Sequence, residues 1–222
     1  MLGQGVYRLA EVSRFTGLHP SRVKTWFKLR SDGLGLAPIF AADYPPVNGD
    51  LAVSFYDLID VLVAGEFRDR YNVPMRVVRR AHSLLQTQLR TKHPFCHSDL
   101  YTDGKRIFLC VANELDEEIL SDAVSRQQFF LHIKEKLAHV DYDEMTKLAC
   151  RWRITSGIVI NPSISMGKPT IENTGITTYV VANQYLANAK NKALVADLYG
   201  ISEKDVVNAL DFEERYGGRH AA

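Results

Sequence analysis

Ser21, Arg22, Lys24, Thr25 and Lys28 place three cations and two hydroxyls within eight residues. At helical spacing these side chains suit the reading of nucleic acid. Arg and Lys pair with guanine edges or hold phosphate oxygens, and Ser and Thr do either more weakly. Arg68, Arg70, Arg76 and Arg79 are further cations of the same half that could reach phosphates. Residues 1–94 carry 13 Lys/Arg against 8 Asp/Glu, whereas residues 95–222 carry 14 against 18. The net charge of +1 therefore conceals a basic front and an acidic rear, which suggests two partners of different kinds. His93, Cys96 and His97 offer three metal ligands within five residues. No fourth ligand stands at a recognised spacing and Pro94 stiffens the segment, so neither a metal nor a cofactor is expected. The chain has no Ser/His/Asp order, Walker loop, GxGxxG or HExxH, and Gly3-Gln4-Gly5 and Gly33-Leu34-Gly35 are too short to cradle phosphate. A binding protein, not an enzyme, is expected.

The elements that must carry these residues follow from periodicity. Leu9, Val12 and Phe15 recur at helical spacing, which predicts a short helix over Leu9–Phe15. Gly17 supplies the positive φ of a tight turn, and Pro20 fits the first turn of a second helix. Val23, Trp26 and Phe27 give that helix a buried side, and small Ser13 four residues before Gly17 permits close packing. A helix pair of this spacing presents its second helix to the major groove. The same spacing also suits a hairpin that merely packs behind a basic, solvated face. Downstream, Pro38–Ala41 and Leu51–Ser54 read as two strands of a wing, separated by Asp43–Asp50 with its Pro-Pro and Asn-Gly turns. Ser54 and Asp57 form an S-x-x-D start for a helix to about Arg70. Asn72-Val73-Pro74 opens another helix, from about Met75 to Thr91, with Val77, Val78, Ala81, Leu84, Leu85 and Gln88 inward.

Residues 5–91 resemble the DNA-binding module of the MerR superfamily. The likeness rests on YRLAEV–TGL–P–RVKTW, followed by SFYDLIDVL and VPMRVVRRAHSLL. It implies a winged helix-turn-helix that works as a dimer on a palindromic operator. The C-terminal effector regions of those regulators are absent.

Residues 93–156 read as an α+β connector. Its elements are a hairpin about Asp103-Gly104, a helix over Ser125–Ala138 burying Phe129, Phe130, Ile133 and Leu137, and a strand near Leu148–Ile154. Short strands then lead to a helix of about Tyr179–Leu186 capped by Thr177. Ala196, Gly200, Val206 and Ala209 repeat the spacing of the first helix-turn-helix. Glu203, Lys204, Asp205, Asp211, Glu213 and Glu214 make that second copy acidic, which phosphates would repel. It is read as a protein-binding or dimerising unit, or as a trihelical core only. The expected fold class is mainly α with small β elements (α+β). Its expected domains span 1–92, 93–156 and 157–216, with a tail at 217–222.

Residues 157–214 closely resemble the domain of unknown function 433, through INPSISMGKPTIENTGI and VADLYGISEKDVVNALDFE. In that family Gly-x-Pro-x-Ile-x-x-Thr-Arg-Ile is usual, and here Gly175 stands in place of the arginine. Joined to the MerR-like module and the HPF–DG–Q–F linker, the whole chain resembles VapB-type antitoxins. The resemblance implies a protein that neutralises a PIN-like ribonuclease toxin, represses its own operon, and assembles as a homodimer and with the toxin. Arg151, Arg153, Lys168, Arg215 and Arg219 are candidate contacts to such a partner. The alternative is a stand-alone regulator whose C-terminal half dimerises. Three cysteines, odd in number and without a CxxC pair, favour a reducing cytoplasm. No apolar run approaches the roughly 20 residues of a membrane span, and Met1–Ala10 lacks the pattern of a secretory signal.

Overall fold

The computed structural model describes residues 5–28, 38–71, 73–100 and 137–217. The fold is mixed α+β, mainly helical with two small sheets. The chain divides into two compact units, one of Tyr7–Cys150 and one containing residues 151–217. Of the expected connector, the described residues 93–100 and 137–150 belong to the first unit.

In the first unit, strand β1 (Tyr7–Arg8) leads directly into helix α1 (Leu9–Thr16). The Glu11 carboxylate accepts the Arg8 backbone N–H at 2.8 Å and closes the helix start. Gly17 ends α1 in the left-handed region (φ 74°), with its N–H on the Ser13 carbonyl. Helix α2 (Pro20–Trp26) begins three residues later. Val12, Phe15, Val23 and Trp26 are buried between the helices, while Leu9 and Phe27 stay half-exposed. The two helices and the glycine turn stand where their spacing predicts.

Strand β2 (Ala52–Val53) precedes helix α3 (Phe55–Tyr71), and helix α4 (Met75–Leu89) follows. The predicted start of α3 is present. Ser54 Oγ accepts the Asp57 N–H at 3.0 Å, and Asp57 Oδ2 accepts the Ser54 N–H at 3.0 Å. Every residue of 57–65 is buried, so α3 is the axis of the unit. Gly65 lets it approach the inter-helix turn, because a Cβ there would lie 2.9 Å from Leu18 Cδ1. Helix α4 buries Val77, Val78, Ala81, His82 and Leu85. Leu84 is half-exposed and Gln88 exposed, which corrects their expected inward placement, and Arg90 (φ 52°) stops the helix before Thr91.

The expected wing hairpin needs a larger correction. Residues 38–41 form no strand, and β2 pairs antiparallel with β1 (Tyr7 opposite Val53). The Ile39 and Phe40 N–H groups donate to the Trp26 carbonyl at 2.9 and 3.1 Å, capping α2 instead of joining a ladder. Phe40 is thereby buried, its ring edge-on to Trp26 at 6.1 Å. The Asn-Gly turn is real: Asn48 (φ 52°) and Gly49 (φ 82°) close a tip between Val47 and Asp50. A short 3-10 turn at Pro94–Cys96 seats Phe95 against Phe67 and His82, 5.4 and 5.1 Å between ring centres. Strand β3 (Val140–Tyr142) and the first residues of β4 (Ala149–Thr155) complete what is described of this unit.

In the second unit β4 pairs antiparallel with β5 (Ile158–Ile160), and β5 with β6 (Thr170–Ile171). Trp152 is buried, but Cys150 and Ile154 are half-buried like Arg151 and Arg153, so the expected two-residue alternation holds at Trp152 alone. Helices α5 (Thr178–Ala187), α6 (Lys192–Tyr199) and α7 (Glu203–Tyr216) follow. Thr177 caps α5 as predicted, its side chain accepting from the Val180 N–H. Gly200 (φ 62°) turns the chain between α6 and α7, and Ala196, Val206 and Ala209 are buried. The glycine turn and the buried small-apolar spacing therefore recur in this unit. Ser202 and Asp205 close α7 reciprocally, at 3.0 and 3.1 Å.

The hairpin about Asp103-Gly104, most of the Ser125–Ala138 helix, Cys110, Gly3-Gln4, Gly33-Leu34-Gly35, Arg30, Asn72, Arg219 and the tail beyond Gly217 lie outside the described residues. No helix among the described residues is long and apolar enough to cross a membrane.

Gly17 has open space for a Cβ, so replacing it costs backbone strain alone. Gly17→Ala is expected to destabilise the first unit by about 1 kcal/mol or more, measured by urea unfolding of the full chain.

Candidate nucleic-acid interface and a buried carboxylate–histidine cluster

Helix α2 turns Val23 and Trp26 inward, which leaves Ser21, Arg22, Thr25 and Lys28 exposed and Lys24 half-buried. His19 caps this helix, with Nδ1 accepting the Ser21 N–H at 3.3 Å and lying 2.7 Å from Ser21 Oγ. Histidine is not a preferred cap, so the composition gave no signal of this role. Thr25 Oγ1 donates to the Ser21 carbonyl at 2.8 Å, one turn back. Both hydroxyls are locally held in the free chain, and a nucleic-acid contact would share or exchange those bonds.

Arg22 contacts Asp69 of α3 through its guanidinium, and both side chains are about half-exposed. This contact brings the outward face of α2 beside the C-terminal turns of α3, where Arg68 is half-buried and Arg70 exposed. Arg70 and Asp69 also line an open recess with Thr16, Leu18 and Glu66. Arg76 (exposed) and Arg79 (half-buried) sit on the first turns of α4. The structure thus joins Arg22 to the end of α3 and introduces an acid, Asp69, into the cationic face.

In the second unit Lys168 and Arg215 are exposed. Arg151 Nη1 lies 3.9 Å from Glu172 Oε1, and the Arg215 guanidinium lies 5.3 Å from the Tyr216 ring centre. Glu203, Lys204, Asp211 and Glu214 are exposed on α7, whereas Glu213 accepts the Thr178 hydroxyl. Gly175, at the position of the family arginine, is exposed with open space around it. Tyr179, Val180 and Leu186 on α5 and Leu194 and Leu198 on α6 leave apolar side chains in solvent.

Among the described residues, a buried carboxylate–histidine cluster that no motif announces lies beside α3. Asp57 and Asp60 project from α3 into the interior, each about 1% exposed. His93 meets them from the segment before the 3-10 turn, and Asp43 from the segment before the Asn-Gly tip. His93 Nδ1 lies 2.8 Å from Asp60 Oδ2, and Nε2 lies 3.1 Å from Asp43 Oδ1. With both ring nitrogens facing carboxylates, the imidazolium form is favoured. Burial pulls the His93 pKa down, but the Asp60 hydrogen bond and the charges of Asp60, Asp43 and Asp57 outweigh it, so the net shift is upward. Lys92 Nζ also holds Asp43, at 2.6 Å. Asp60 Oδ1 accepts the Phe95 N–H at 3.1 Å, and the fully buried Cys96 thiol donates to the Tyr56 carbonyl at 3.1 Å. Burial and the nearby Asp60 and Asp57 charges push that thiol far up, so it stays protonated and inert. Burial raises Asp57 to about 6 against the pull of the Ser54 and Asp43 backbone N–H groups. His82, whose Nε2 lies 4.0 Å from Asp60, is lowered by burial.

His93, Cys96 and His97 do not converge as a ligand trio. Cys96 is turned to Tyr56 and Asp60, and His97 Nδ1 accepts the Asp99 N–H. His93 joins Asp43 and Asp57 instead. One signal was legible. Asp60 interrupts the apolar run Leu58–Ala64, and an acid at a core position requires a partner.

Residues 158–212 match the family described as "Protein of unknown function (DUF433)". Over 97% of its length the chain is 24% identical to 93% of "Uncharacterized protein Rv2308" of Mycobacterium tuberculosis (strain ATCC 25618 / H37Rv). The crystal structure of Rv2018 from Mycobacterium tuberculosis superposes with a TM-score of 0.70. That match is 24% identical and covers 92% of this chain and 97% of the other. The shared architecture therefore spans both units.

The His93 shift has a definite sign. A folded-state pKa above the ordinary 6.5 adds stability that is complete below pH 6.5 and lost as pH rises through the folded value. Asp57 has the same sign but acts between 3.8 and about 6. His82 has the opposite sign and acts below 6.5. Between pH 6.5 and 8.5, thermal unfolding of the full chain should show stability declining with pH, and His93→Gln should flatten that decline.

Proposed function

We propose that this protein is an antitoxin of a bacterial toxin–antitoxin pair. The first unit acts as a MerR-like helix-turn-helix that binds operator DNA and represses its own operon. The second unit holds a PIN-like ribonuclease. The observation that carries the DNA half is the exposed face of α2, where Ser21, Arg22, Thr25 and Lys28 lie opposite buried Val23 and Trp26. Such a face supplies phosphate neutralisation and base contacts from a helix rigidly set by its partner. A homodimer would place two such helices on the half-sites of a palindrome.

For the second unit, the acidic exposed side of α7 disfavours phosphate, although the geometry repeats that of α1 and α2. Exposed Tyr179, Val180, Leu186, Leu194 and Leu198 supply the apolar surface on which protein contacts rest. Arg151, Arg153, Lys168 and Arg215 remain the cations that could meet the acidic metal-holding site of such a nuclease. This is the action of a binding protein, with no catalytic step of its own.

Arg22→Glu combined with Lys24→Glu is expected to weaken operator binding by several kcal/mol, on the order of a hundredfold or more, in gel-shift titration at fixed salt. Asp69→Ala should tighten binding in the same assay, because it removes an anion from the cationic face. Unchanged affinity in both variants would sink the interface. Affinity capture of the full chain from its native host is expected to recover a small PIN-like nuclease. DNA binding without such a partner would favour the stand-alone regulator.

A further inference from the structure

We propose that Asp43, Asp57 and His93 form a binding site for a divalent transition cation of the zinc class. The site lies in the first unit, away from the face of α2, and its occupancy is independent of the antitoxin reading.

Three segments distant in sequence supply the ligands: the stretch before the Asn48-Gly49 tip, the first turn of α3, and the residue before Pro94. One donor atom from each lies within 4.8 Å of the others. Zinc holds nitrogen and oxygen ligands at about 2.0–2.2 Å, which sets them roughly 3.5 Å apart. Binding would therefore require the three side chains to draw in from their 4.8 Å spread. An imidazole with two carboxylates suits zinc or manganese better than magnesium or calcium, which prefer oxygen alone.

A second observation separates this cluster from a self-satisfied ion network. Asp57 is buried, yet its Oδ1 accepts no hydrogen bond among the described residues; the His93 Nδ1 lies 4.0 Å away, beyond hydrogen-bond reach, and is bonded to Asp60 instead. A buried carboxylate oxygen without a donor is costly, and a bound cation would satisfy it. The other atoms of the ligands are already held. Asp57 Oδ2 accepts the N–H groups of Ser54 and Asp43, at 3.0 and 3.1 Å. Asp43 Oδ2 accepts the Ser54 hydroxyl. Asp60 takes the Nδ1–H of His93, which leaves Nε2 as the ligand atom. A carboxylate that orients a histidine from behind is the usual second layer of a protein metal site.

The competitor is also visible. Lys92 places its ammonium 2.6 Å from Asp43 Oδ1, and its side chain is 43% exposed. On cation binding the His93 Nε2 proton leaves to solvent and Lys92 swings outward, so the ion replaces positive charge already present. Once bound, it would tie the segment that leaves α2 to the start of α3.

The test uses the full chain, freed of metal with a chelator and titrated with Zn²⁺ and, in parallel, Mn²⁺. Calorimetry gives affinity and elemental analysis after dialysis gives stoichiometry. The expected result is one equivalent per chain, weakened at least about tenfold by Asp57→Asn or His93→Gln. Lys92→Ala should tighten binding severalfold, because the ammonium no longer competes for Asp43. Lys92 is exposed, so this variant keeps the comparison valid if a core substitution fails to fold. Absence of uptake by both the parent chain and Lys92→Ala overturns the site. Uptake indifferent to Lys92 and His93 also overturns it, by assigning the ion to other histidines or cysteines.

Discussion

The first unit depends on how two carboxylates are accommodated inside an apolar helix. Residues 57–65 of α3 are all buried, and Asp57 and Asp60 lie among them. An isolated charge in such a setting costs several kcal/mol even after relaxation. The chain offsets that cost by carrying His93 back to the helix across more than thirty residues of sequence. The 3-10 turn at Pro94–Cys96, the edge-to-face packing of Phe95 on Phe67 and His82 and the orientation of the Cys96 thiol all follow from that return. Asp43 and Lys92 extend the network to the surface. Packing and electrostatics therefore select the same path for the chain.

The α1–α2 pair is built on this axis. Leu18, at the turn between α1 and α2, sits against Gly65, where any larger residue would press on it. Trp26 closes the far end, with its carbonyl accepting two backbone N–H groups and its ring meeting Phe40. Helix α2 is thus held mainly on its inward side, with the Arg22–Asp69 ion pair as an outward tie to α3.

The second unit reuses the glycine-centred turn, with Gly200 between α6 and α7 where Gly17 stands between α1 and α2. The two copies agree in geometry and differ in charge. Ser202 and Asp205 put an acid at the start of α7, where the positive end of the helix dipole favours it. The same local architecture therefore carries a basic outward face in one unit and an acidic one in the other.

Local chemistry was legible in the sequence. Gly17, Pro20, Ser54 with Asp57, Thr177 and Gly200 mark element boundaries through capping and positive φ, which act within a few residues. Apolar spacing named Val12, Val23, Trp26, Val206 and Ala209 as core. Long-range pairing was not legible. Residues 38–41 carry strand-like side chains, but the tertiary structure uses their N–H groups to cap α2 and gives β2 to β1 instead. Asp69 beside Arg22, and His93 between Asp43 and Asp60, are pairs separated by 47, 50 and 33 positions. No periodicity links such positions, because the energy that joins them arises only when burial removes water from both. The sequence determined which helices form and which faces are basic; the tertiary structure decided which charges meet.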